Sequence, residues 1–329
     1  MTVKSRLLQI LEQHKGEILS GEGLAEELDC TRAAVWKAVK ALREEGYQIE
    51  AGPNRGYMLT KENNRLSEEG IRLFLHHPEV FVKLYKETAS TNQAAKQAVL
   101  QGEAGHGGFV LAESQSAGRG RRGRSFFSPA GSGLYLSVIL EPAETLQESL
   151  LLTTAAAAAV YRAVERVCGI SLDIKWVNDL YKNGKKFCGI LTEAITDFES
   201  GEIQYAIVGI GLNLFETADG FPEELREIAG ALYDSESDAS GIDRNRLTAE
   251  IVNCLLEETE DLKLSELYVS HNLVPGHMIR ILDGERSRLA KALEICPDGR
   301  LKIEEADGRV SVLTYGEVSV RRSEQESWE

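Results

Sequence analysis

The stretch Gly118-Arg119-Gly120-Arg121-Arg122-Gly123-Arg124 decides how this chain is interpreted. It places four arginines and three glycines in seven residues of a 329-residue protein whose formal net charge is −15. Arginine offers a planar, permanently charged fork that matches carboxylate and phosphate groups. Glycine lets the backbone approach a ligand closely. The stretch therefore predicts a binding site for a dense anion.

Two other interpretations of the loop are a disordered RNA-binding tract and a solvated charge run. The flanking sequence disfavours both. Residues 108–112 and 133–140 are typical of β-strands, so the loop is tethered at both ends. A charged loop held between two strands is typical of a binding site rather than a tail.

Composition limits the classes of protein to consider. Apolar residues make up 43% of the chain and charged residues 27%, as in ordinary globular domains. The five cysteines are scattered, which disfavours zinc or thioredoxin motifs and suits a reducing compartment. The six histidines follow no metal-ligand spacing, so no metal site is predicted. No segment has the length or apolarity of a signal peptide core or a membrane span, so we expect a cytoplasmic protein without membrane contact.

Residues 1–62 have the pattern of a winged helix-turn-helix. Thr31 can cap a third helix, whose apolar positions follow the spacing i, i+3, i+4, i+7. Those positions are Val35, Ala38, Val39 and Leu42. A hairpin turn at residues 52–54 supplies the wing.

The other face of the third helix is basic, which predicts that it enters a DNA major groove and meets phosphates. The candidate DNA-binding residues are Thr31, Arg32, Trp36, Lys37 and Lys40, with Arg55 at the wing tip. A winged helix used for protein contacts, or a solvated basic face, would show the same pattern.

The remainder divides into two predicted domains of a multidomain α+β protein. Residues 63–270 alternate strands with helices and adjacent hairpins, which predicts a mixed sheet. In residues 271–329, Asp-Gly pairs at 283–284, 298–299 and 307–308 separate apolar segments at hairpin spacing. That spacing predicts a small β-barrel.

Two further clusters are candidates for chemistry. Residues 175–181, Lys-Trp-Val-Asn-Asp-Leu-Tyr, follow a predicted strand, and a lysine there can stabilise a developing anion. A surface lysine at an ordinary strand exit is the alternative. Residues 208–213, Val-Gly-Ile-Gly-Leu-Asn, allow either close ligand approach or tight packing. Neither cluster has the spacing of a dinucleotide fingerprint or a P-loop.

The order of these motifs resembles that of the biotin protein ligases. It runs from Ser90-Thr91-Asn92 through the arginine-glycine loop to Lys175-Trp176-x-Asn178-Asp179, then Gly189-Ile190-Leu191 and Gly209-Ile210-Gly211-x-Asn213. The winged helix in front resembles the bifunctional form, the biotin operon repressors. The resemblance covers about residues 4–321.

The resemblance implies an activity and its partners. Family members use ATP and Mg²⁺ to convert biotin into biotinyl-5′-AMP, and transfer biotin to a lysine of a biotin carboxyl carrier protein domain. The repressor form dimerises when biotinyl-AMP is bound and then binds operator DNA. The central domain would be similar to class II synthetases, and the C-terminal domain would be an SH3-like barrel.

The resemblance also assigns residues to roles. Biotin would be held by residues from three of the motifs and by Gln115, just before the loop: Ser90, Thr91, Asn92, Gln115, Gly118, Arg119, Gly120, Arg121 and Lys175. ATP and the adenylate would be held by Arg121, Arg124, Phe126, Lys175, Asn178 and Asn213. Lys175, Arg119 and Arg121 are the catalytic candidates. This sequence departs from the family at Val177, where the motif usually has proline.

Two rival functions share parts of this pattern. A lipoate or octanoyl ligase would use the same scaffold, but the arginine-glycine loop and the winged helix favour biotin. A non-enzymatic transcription factor that senses a small acid would not need both Lys175 and the arginine loop.

Overall fold

A computed structural model describes residues 2–52, 56–141, 148–196, 203–239, 241–283, 286–314 and 317–320. The chain folds into two compact units. The first is formed by Met1–Glu79 with Ser237–Glu250, and the second by Val80–Glu236 with Ile251–Glu329. The division into three domains at residues 62 and 270 stays a prediction.

The first unit contains the expected helices and wing. Its elements are α1 (Val3–Gln13), α2 (Gly21–Glu27), α3 (Arg32–Glu44), β1 (Ile49–Gly52), β2 (Gly56–Leu59) and α4 (Glu68–Arg72). The strands β1 and β2 pair antiparallel, and Leu19 adds a bridge to Tyr57. Gly56 has a φ of +92°, and an added Cβ there would lie 2.1 Å from the Leu19 carbonyl oxygen. Glycine is therefore required where the wing returns.

Local sequence accounts for the helix starts. Ser20 Oγ accepts the backbone N–H of Gly23 at 2.9 Å, and Thr31 Oγ1 accepts that of Ala34 at 3.2 Å. Each bond satisfies a donor that the first helical turn leaves unpaired. The predicted apolar face of α3 is buried against α1 and α2, so the helix-turn-helix has its own core.

A buried carboxyl group lies in this unit outside that apolar core. Glu12 of α1 accepts a hydrogen bond from Ser67 Oγ at 3.4 Å, and burial raises its pKa from 4.5 to about 7. Lys15 opposes the rise, while Asp243 and Glu69 add to it. Between pH 4.5 and about 7, the folded unit therefore retains a proton that the unfolded chain releases.

We expect Glu12→Gln to stabilise the first unit at pH 8 but to have little effect at pH 4. The raised pKa favours folding only while the carboxyl group is protonated, so this contribution is lost as the pH rises from 4.5 through about 7. Above pH 7, the free energy of unfolding of the variant should exceed that of the wild type by at most about 3 kcal/mol. The free energy of unfolding is measured at both pH values by urea titration, with hydrogen exchange of the α1 amides as the probe of the first unit. Glu17→Gln is the exposed control, and an equal effect at both pH values would contradict the assignment.

The second unit is built on a seven-stranded sheet. Its strands are β3 (Val82–Tyr85), β4 (Phe109–Ala112), β5 (Gly133–Leu140), β6 (Asp173–Lys175), β7 (Asp179–Lys182), β8 (Lys185–Thr196) and β9 (Ile203–Asn213). The strand order is β3-β4-β5-β9-β8-β7-β6. The pair β3 and β4 is parallel, whereas the other five pairs are antiparallel. The predicted mixed sheet is confirmed.

Helices α5 (Thr91–Leu100) and α6 (Glu148–Cys168) cover opposite faces of this sheet. The alanines of α5 pack with Val110, Ile139 and Ile207. Thr153 of α6 instead meets Thr192 of β8, with 2.8 Å between their hydroxyl oxygens. Thr192 and Glu193 are adjacent in the strand and so point to opposite faces. The N-terminus of α5 consequently lies on the face that carries Glu193.

The remaining elements are α7 (Arg244–Glu260), α8 (Glu266–Ser270) and five C-terminal strands. These are β10 (Met278–Asp283), β11 (Arg286–Ile295), β12 (Leu301–Glu305), β13 (Val310–Leu313) and β14 (Glu317–Val320). They form an antiparallel sheet in the order β13-β12-β11-β10-β14. No ladder joins β13 to β14 among the described residues, so β structure is confirmed here while closure into a barrel stays a prediction. No described helix has the length and apolarity needed to cross a membrane.

Candidate functional site

A cavity of about 350 Å³ lies in the second unit, and most predicted site residues line it. Those in its wall are Ser90, Thr91, Asn92, Gln115, Arg119, Gly120, Arg121, Arg124, Phe126, Lys175, Asn178 and Asn213. Gly118 is buried just behind the wall, where an added Cβ would lie 2.5 Å from the Phe126 carbonyl oxygen. The fold thus brings together five motifs that are far apart in sequence.

A chain of short polar side chains forms one part of the wall. Gln115 Oε1 accepts the backbone N–H of Thr91 at 2.9 Å, and Gln115 Nε2 donates to Ser128 Oγ at 2.9 Å. Ser128 Oγ in turn donates to the Phe126 carbonyl oxygen at 3.0 Å. Ser128 lies outside the cavity lining, and its bonds together with that of the Thr91 N–H fix the Gln115 amide in one orientation in the wall.

The glycine motif of β9 makes room for the side chains of Asn92 and Phe126. Gly209, Gly211 and Asn213 are two residues apart, so they share one face of the strand. A Cβ on Gly209 would lie 2.2 Å from Asn92 Oδ1, and one on Gly211 would lie 2.6 Å from the Phe126 ring. The sequence left either close ligand approach or tight packing open for these glycines. The structure shows tight packing, and the groups packed against them are two predicted site residues, Asn92 and Phe126.

We expect Gly211→Ala to weaken ATP binding more than biotin binding, because Phe126 is among the residues predicted to hold ATP and not among those predicted to hold biotin. Overpacking of this kind costs about 1–3 kcal/mol. The measurement is KM for each substrate in pyrophosphate release. Gly105→Ala is the control, since a Cβ there would meet only Glu141 Oε1, at 4.0 Å. A second change, Phe126→Leu, should restore part of the loss, and unchanged ATP kinetics in Gly211→Ala would contradict the packing argument.

The arginine-glycine loop is closed by its own backbone. Gly120 N–H donates to Arg124 O at 2.7 Å, and Phe126 N–H donates to Gly118 O at 2.9 Å. A short 3₁₀ turn at Arg121–Gly123 forms the tip. The arginine side chains of the loop line the cavity, with Arg121 half-buried and Arg119 and Arg124 exposed.

Arg121 connects this loop to the sheet. Its Nη1 donates to Asn178 Oδ1 at 3.0 Å, while Asn178 Nδ2 donates to the Ile190 carbonyl oxygen at 2.9 Å. Asn213 is likewise anchored, since its Nδ2 donates to Gly230 O at 3.0 Å. Both asparagines therefore stabilise the cavity wall through hydrogen bonds to neighbouring segments.

Lys175 ends β6 and reaches the cavity beside Tyr181. Its Nζ lies 3.4 Å from the Tyr181 hydroxyl oxygen and 5.3 Å from the ring centroid. Lys175 pairs in register with Asp179 across the β6–β7 hairpin. The ammonium group is thus held in position on a strand, which suits a role in stabilising an anion.

The residue where the family usually has proline is held by neighbouring groups. Val177 is buried, and its carbonyl oxygen accepts a hydrogen bond from the Tyr268 hydroxyl at 3.0 Å. The Trp176–Val177 peptide is cis. Trp176 Nε1 donates to Gly299 O at 2.9 Å, which ties this turn to the C-terminal sheet.

Sequence reasoning missed two parts of the wall. Lys186 forms an ion pair with Asp179 at 2.6 Å, and both line the cavity. Lys186 stands three residues before the motif Gly189-Ile190-Leu191, and this proximity could have marked it as a site residue. Phe221, Leu225 and Ile228 supply an apolar side. They belong to no motif, and their sequence gave no signal.

The predicted DNA-binding residues lie on the exposed face of α3. Thr31, Arg32, Lys37 and Lys40 are exposed, and Trp36 is 55% exposed beneath Lys40, whose Nζ lies 5.8 Å from the ring centroid. Arg55 lies outside the described residues. Arg43, which shares this helix, instead donates through Nε to Ile49 O at 2.7 Å. It therefore braces the wing.

Two family models match this chain. The biotin/lipoate A/B protein ligase family matches residues 84–213, and an HTH domain matches residues 3–58. Within the described residues, no group of three or more His, Cys, Asp or Glu side chains could hold a metal ion.

Similar proteins extend along nearly the whole chain. A bifunctional ligase/repressor BirA of Bacillus spizizenii is 36% identical over 321 residues, which cover 93% of this chain and 95% of that protein. The BirA of Escherichia coli is 30% identical, with 98% and 99% covered. A biotin protein ligase from Aquifex aeolicus, solved in complex with biotin and ATP, is 29% identical with a TM-score of 0.59, and covers 74% of this chain and 99% of its own.

Proposed function

This chain belongs to the family of bifunctional biotin ligase/repressors, and we propose how its cavity and its winged helix carry out those two activities. As a ligase it biotinylates an acceptor protein, and as a repressor it binds DNA through the helix-turn-helix. The observation that carries the proposal is the convergence, in one cavity, of a rigid polar cluster with a loop of arginines and a strand-borne lysine.

The polar cluster suits the ureido ring of biotin. That ring has two N–H donors and one carbonyl acceptor, and it needs short groups of both kinds. Ser90, Thr91 and Gln115 are such groups, and Asn92 orients them. The glycines of β9 leave room for the Asn92 side chain and the Phe126 ring beside this cluster.

The cationic wall suits the activation step. A carboxylate oxygen of biotin attacks the α-phosphorus of ATP, the bond to the β-phosphate breaks, and pyrophosphate leaves. Charge grows on the phosphoryl oxygens, where Lys175, Arg119 and Arg121 stabilise it. Asn178 holds Arg121 in place, and Arg124 and Phe126 hold the nucleotide. Positioning and preorganised charge, rather than a covalent enzyme intermediate, account for the rate.

The second step transfers biotin to a biotin carboxyl carrier domain. The acceptor lysine amine attacks the acyl carbonyl carbon of biotinyl-AMP, an amide bond forms, and AMP leaves. The exposed arginines at the rim stabilise the departing phosphate.

Mg²⁺ enters with ATP as part of the substrate. The described wall contains one carboxylate, Asp179, which is paired with Lys186. This donor set fits an ion held mainly by phosphate oxygens and water, for which Mg²⁺ supplies charge neutralisation.

The repressor activity completes the proposal. Biotinyl-AMP promotes a homodimer, and two winged helices then contact two operator half-sites. We further propose a class II synthetase-like central domain, closure of the C-terminal strands into an SH3-like barrel, and a cytoplasmic location.

The deciding experiment mixes the purified full-length protein with ATP, Mg²⁺ and either biotin or lipoate, and measures pyrophosphate release. Biotin-dependent release with no response to lipoate supports the proposal. A response to lipoate alone would make the protein a lipoate ligase. Absence of release with either acid, while biotin still modulates DNA binding, would make it a non-enzymatic sensor.

A further inference from the structure

Behind the polar wall lies a second row of side chains that line no part of the cavity. Ser137 on β5 is completely buried, and its Oγ lies 2.6 Å from Asn92 Oδ1 and 2.7 Å from Thr91 Oγ1. Glu193 on β8 accepts a hydrogen bond from Asn92 Nδ2 at 2.7 Å. Such contacts determine which atoms carry protons, and hence what the wall can recognise.

The amide orientation of Asn92 is fixed by its neighbours. Its nitrogen faces Glu193 Oε2 at 2.7 Å and the Leu191 carbonyl oxygen at 3.3 Å. Both neighbours accept hydrogen bonds and neither donates one, so only the NH₂ group of the amide can face them. The other oxygen of this carboxyl group, Oε1, lies 3.4 Å from Lys96 Nζ. The amide oxygen must therefore point to Ser137.

The direction of the next two protons follows from this orientation. Asn92 Oδ1 only accepts, so the single hydroxyl proton of Ser137 goes to it. The contact between Ser137 Oγ and Thr91 Oγ1, at 2.7 Å, then needs the Thr91 proton, because the single Ser137 proton is already used. Gln115 Oε1 is the other acceptor within reach of the Thr91 hydroxyl, at 3.2 Å. It already accepts the Thr91 backbone N–H at 2.9 Å, so the shorter contact to Ser137 takes the hydroxyl proton. The Thr91 hydroxyl presents lone pairs, and no proton, to the cavity.

We infer that Ser137 and Glu193 are positioning residues that set Thr91 as an obligate acceptor and so select a ligand that offers an N–H group at this point. The inference rests on the proposed function and deepens it, because the ureido ring of biotin has such N–H groups. A ligand with oxygen in place of that N–H would bring two acceptors together and lose affinity.

The test compares biotin with its two cyclic carbamate analogues, in each of which oxygen replaces one ureido N–H. Calorimetry on the full-length protein gives each affinity. We expect the wild type to reject one of the analogues by at least about 100-fold. In Ser137→Ala the Thr91 hydroxyl keeps only the longer 3.2 Å contact to Gln115 Oε1. It can then turn and donate to the ligand, so this discrimination should fall to roughly tenfold or less.

A second pair of variants covers the case in which Ser137→Ala folds poorly. Glu193→Gln retains an acceptor oxygen for Asn92 and should keep the discrimination. Glu193→Leu leaves Asn92 Nδ2 only the 3.3 Å contact to the Leu191 carbonyl oxygen and should reduce the discrimination. Equal losses of affinity for biotin and both analogues in Ser137→Ala and Glu193→Leu would overturn the inference, since a purely structural role predicts that result. If the wild type binds biotin but accepts both carbamates, the inference fails while the proposed function stands. If the wild type neither binds biotin nor releases pyrophosphate, both fail.

Discussion

Lys175→Ala is expected to slow biotin-dependent pyrophosphate release by about 10²–10³-fold, equivalent to roughly 3–4 kcal/mol of lost transition-state stabilisation. Lys175 reaches the cavity from the end of a strand and lies 3.4 Å from the Tyr181 hydroxyl. The negative charge it would neutralise grows during attack on the α-phosphorus. Single-turnover measurement of adenylate formation isolates this step from product release.

The controls for this change separate charge from packing. Lys175→Met keeps most of the side-chain volume and should be as slow as Lys175→Ala. Lys83→Ala removes a lysine of similar setting, since its Nζ lies 6.0 Å from the Tyr85 ring centroid, but on a strand outside the cavity. It should be nearly as active as the wild type. Near-normal adenylate formation in a folded Lys175→Ala protein would rule out the assigned role.

Biotinyl-AMP is expected to tighten operator binding by on the order of 100-fold, at the upper end of the usual range of coupling between sites. One winged helix offers a small contact area, so specific binding needs two half-sites and a dimer. A ligand that favours the dimer must, by linkage, be bound more tightly by the dimer to the same extent. Sedimentation and titration of a duplex selected from random sequence, each with and without biotinyl-AMP, measure both quantities.

Lys37→Ala provides the matched control for this coupling. Lys37 is exposed on α3, so its loss should weaken DNA binding and reduce its salt dependence by about one phosphate contact. Ligand-driven self-association should be unchanged in this variant. If biotinyl-AMP changes neither the operator affinity nor the self-association of the wild type, the protein is instead a ligase with a constitutive DNA-binding module.

The carrier domain is expected to oppose this coupling. If the acceptor and the second protomer use the same surface, excess acceptor domain should lower operator occupancy even before biotin is transferred. An acceptor whose target lysine is changed to arginine separates competition from consumption of the adenylate. Occupancy that is unaffected by this unreactive acceptor would show that the two partners use different surfaces.

The sequence alone determined where α3 starts, which of its faces is buried and the order of the motifs, because the signals involved are local. Thr31 starts α3 since its side chain bonds a backbone N–H three residues away, and the apolar spacing of α3 fixes which face is buried. The mixed character of the central sheet followed from the alternation of strands, helices and hairpins. The motif order identified the family, as the match over nearly the whole chain agrees.

Tertiary structure decided how the site is built. Asn92 packs against Gly209, and Ser137 joins both Asn92 and Thr91. These residues lie on α5, β5 and β9, and no local signal specifies which side chains meet when strands from distant segments pair. The apolar wall at Phe221 escaped prediction for the same reason. The direction of each proton in the wall depends on all its neighbours at once, so only the assembled fold could determine it.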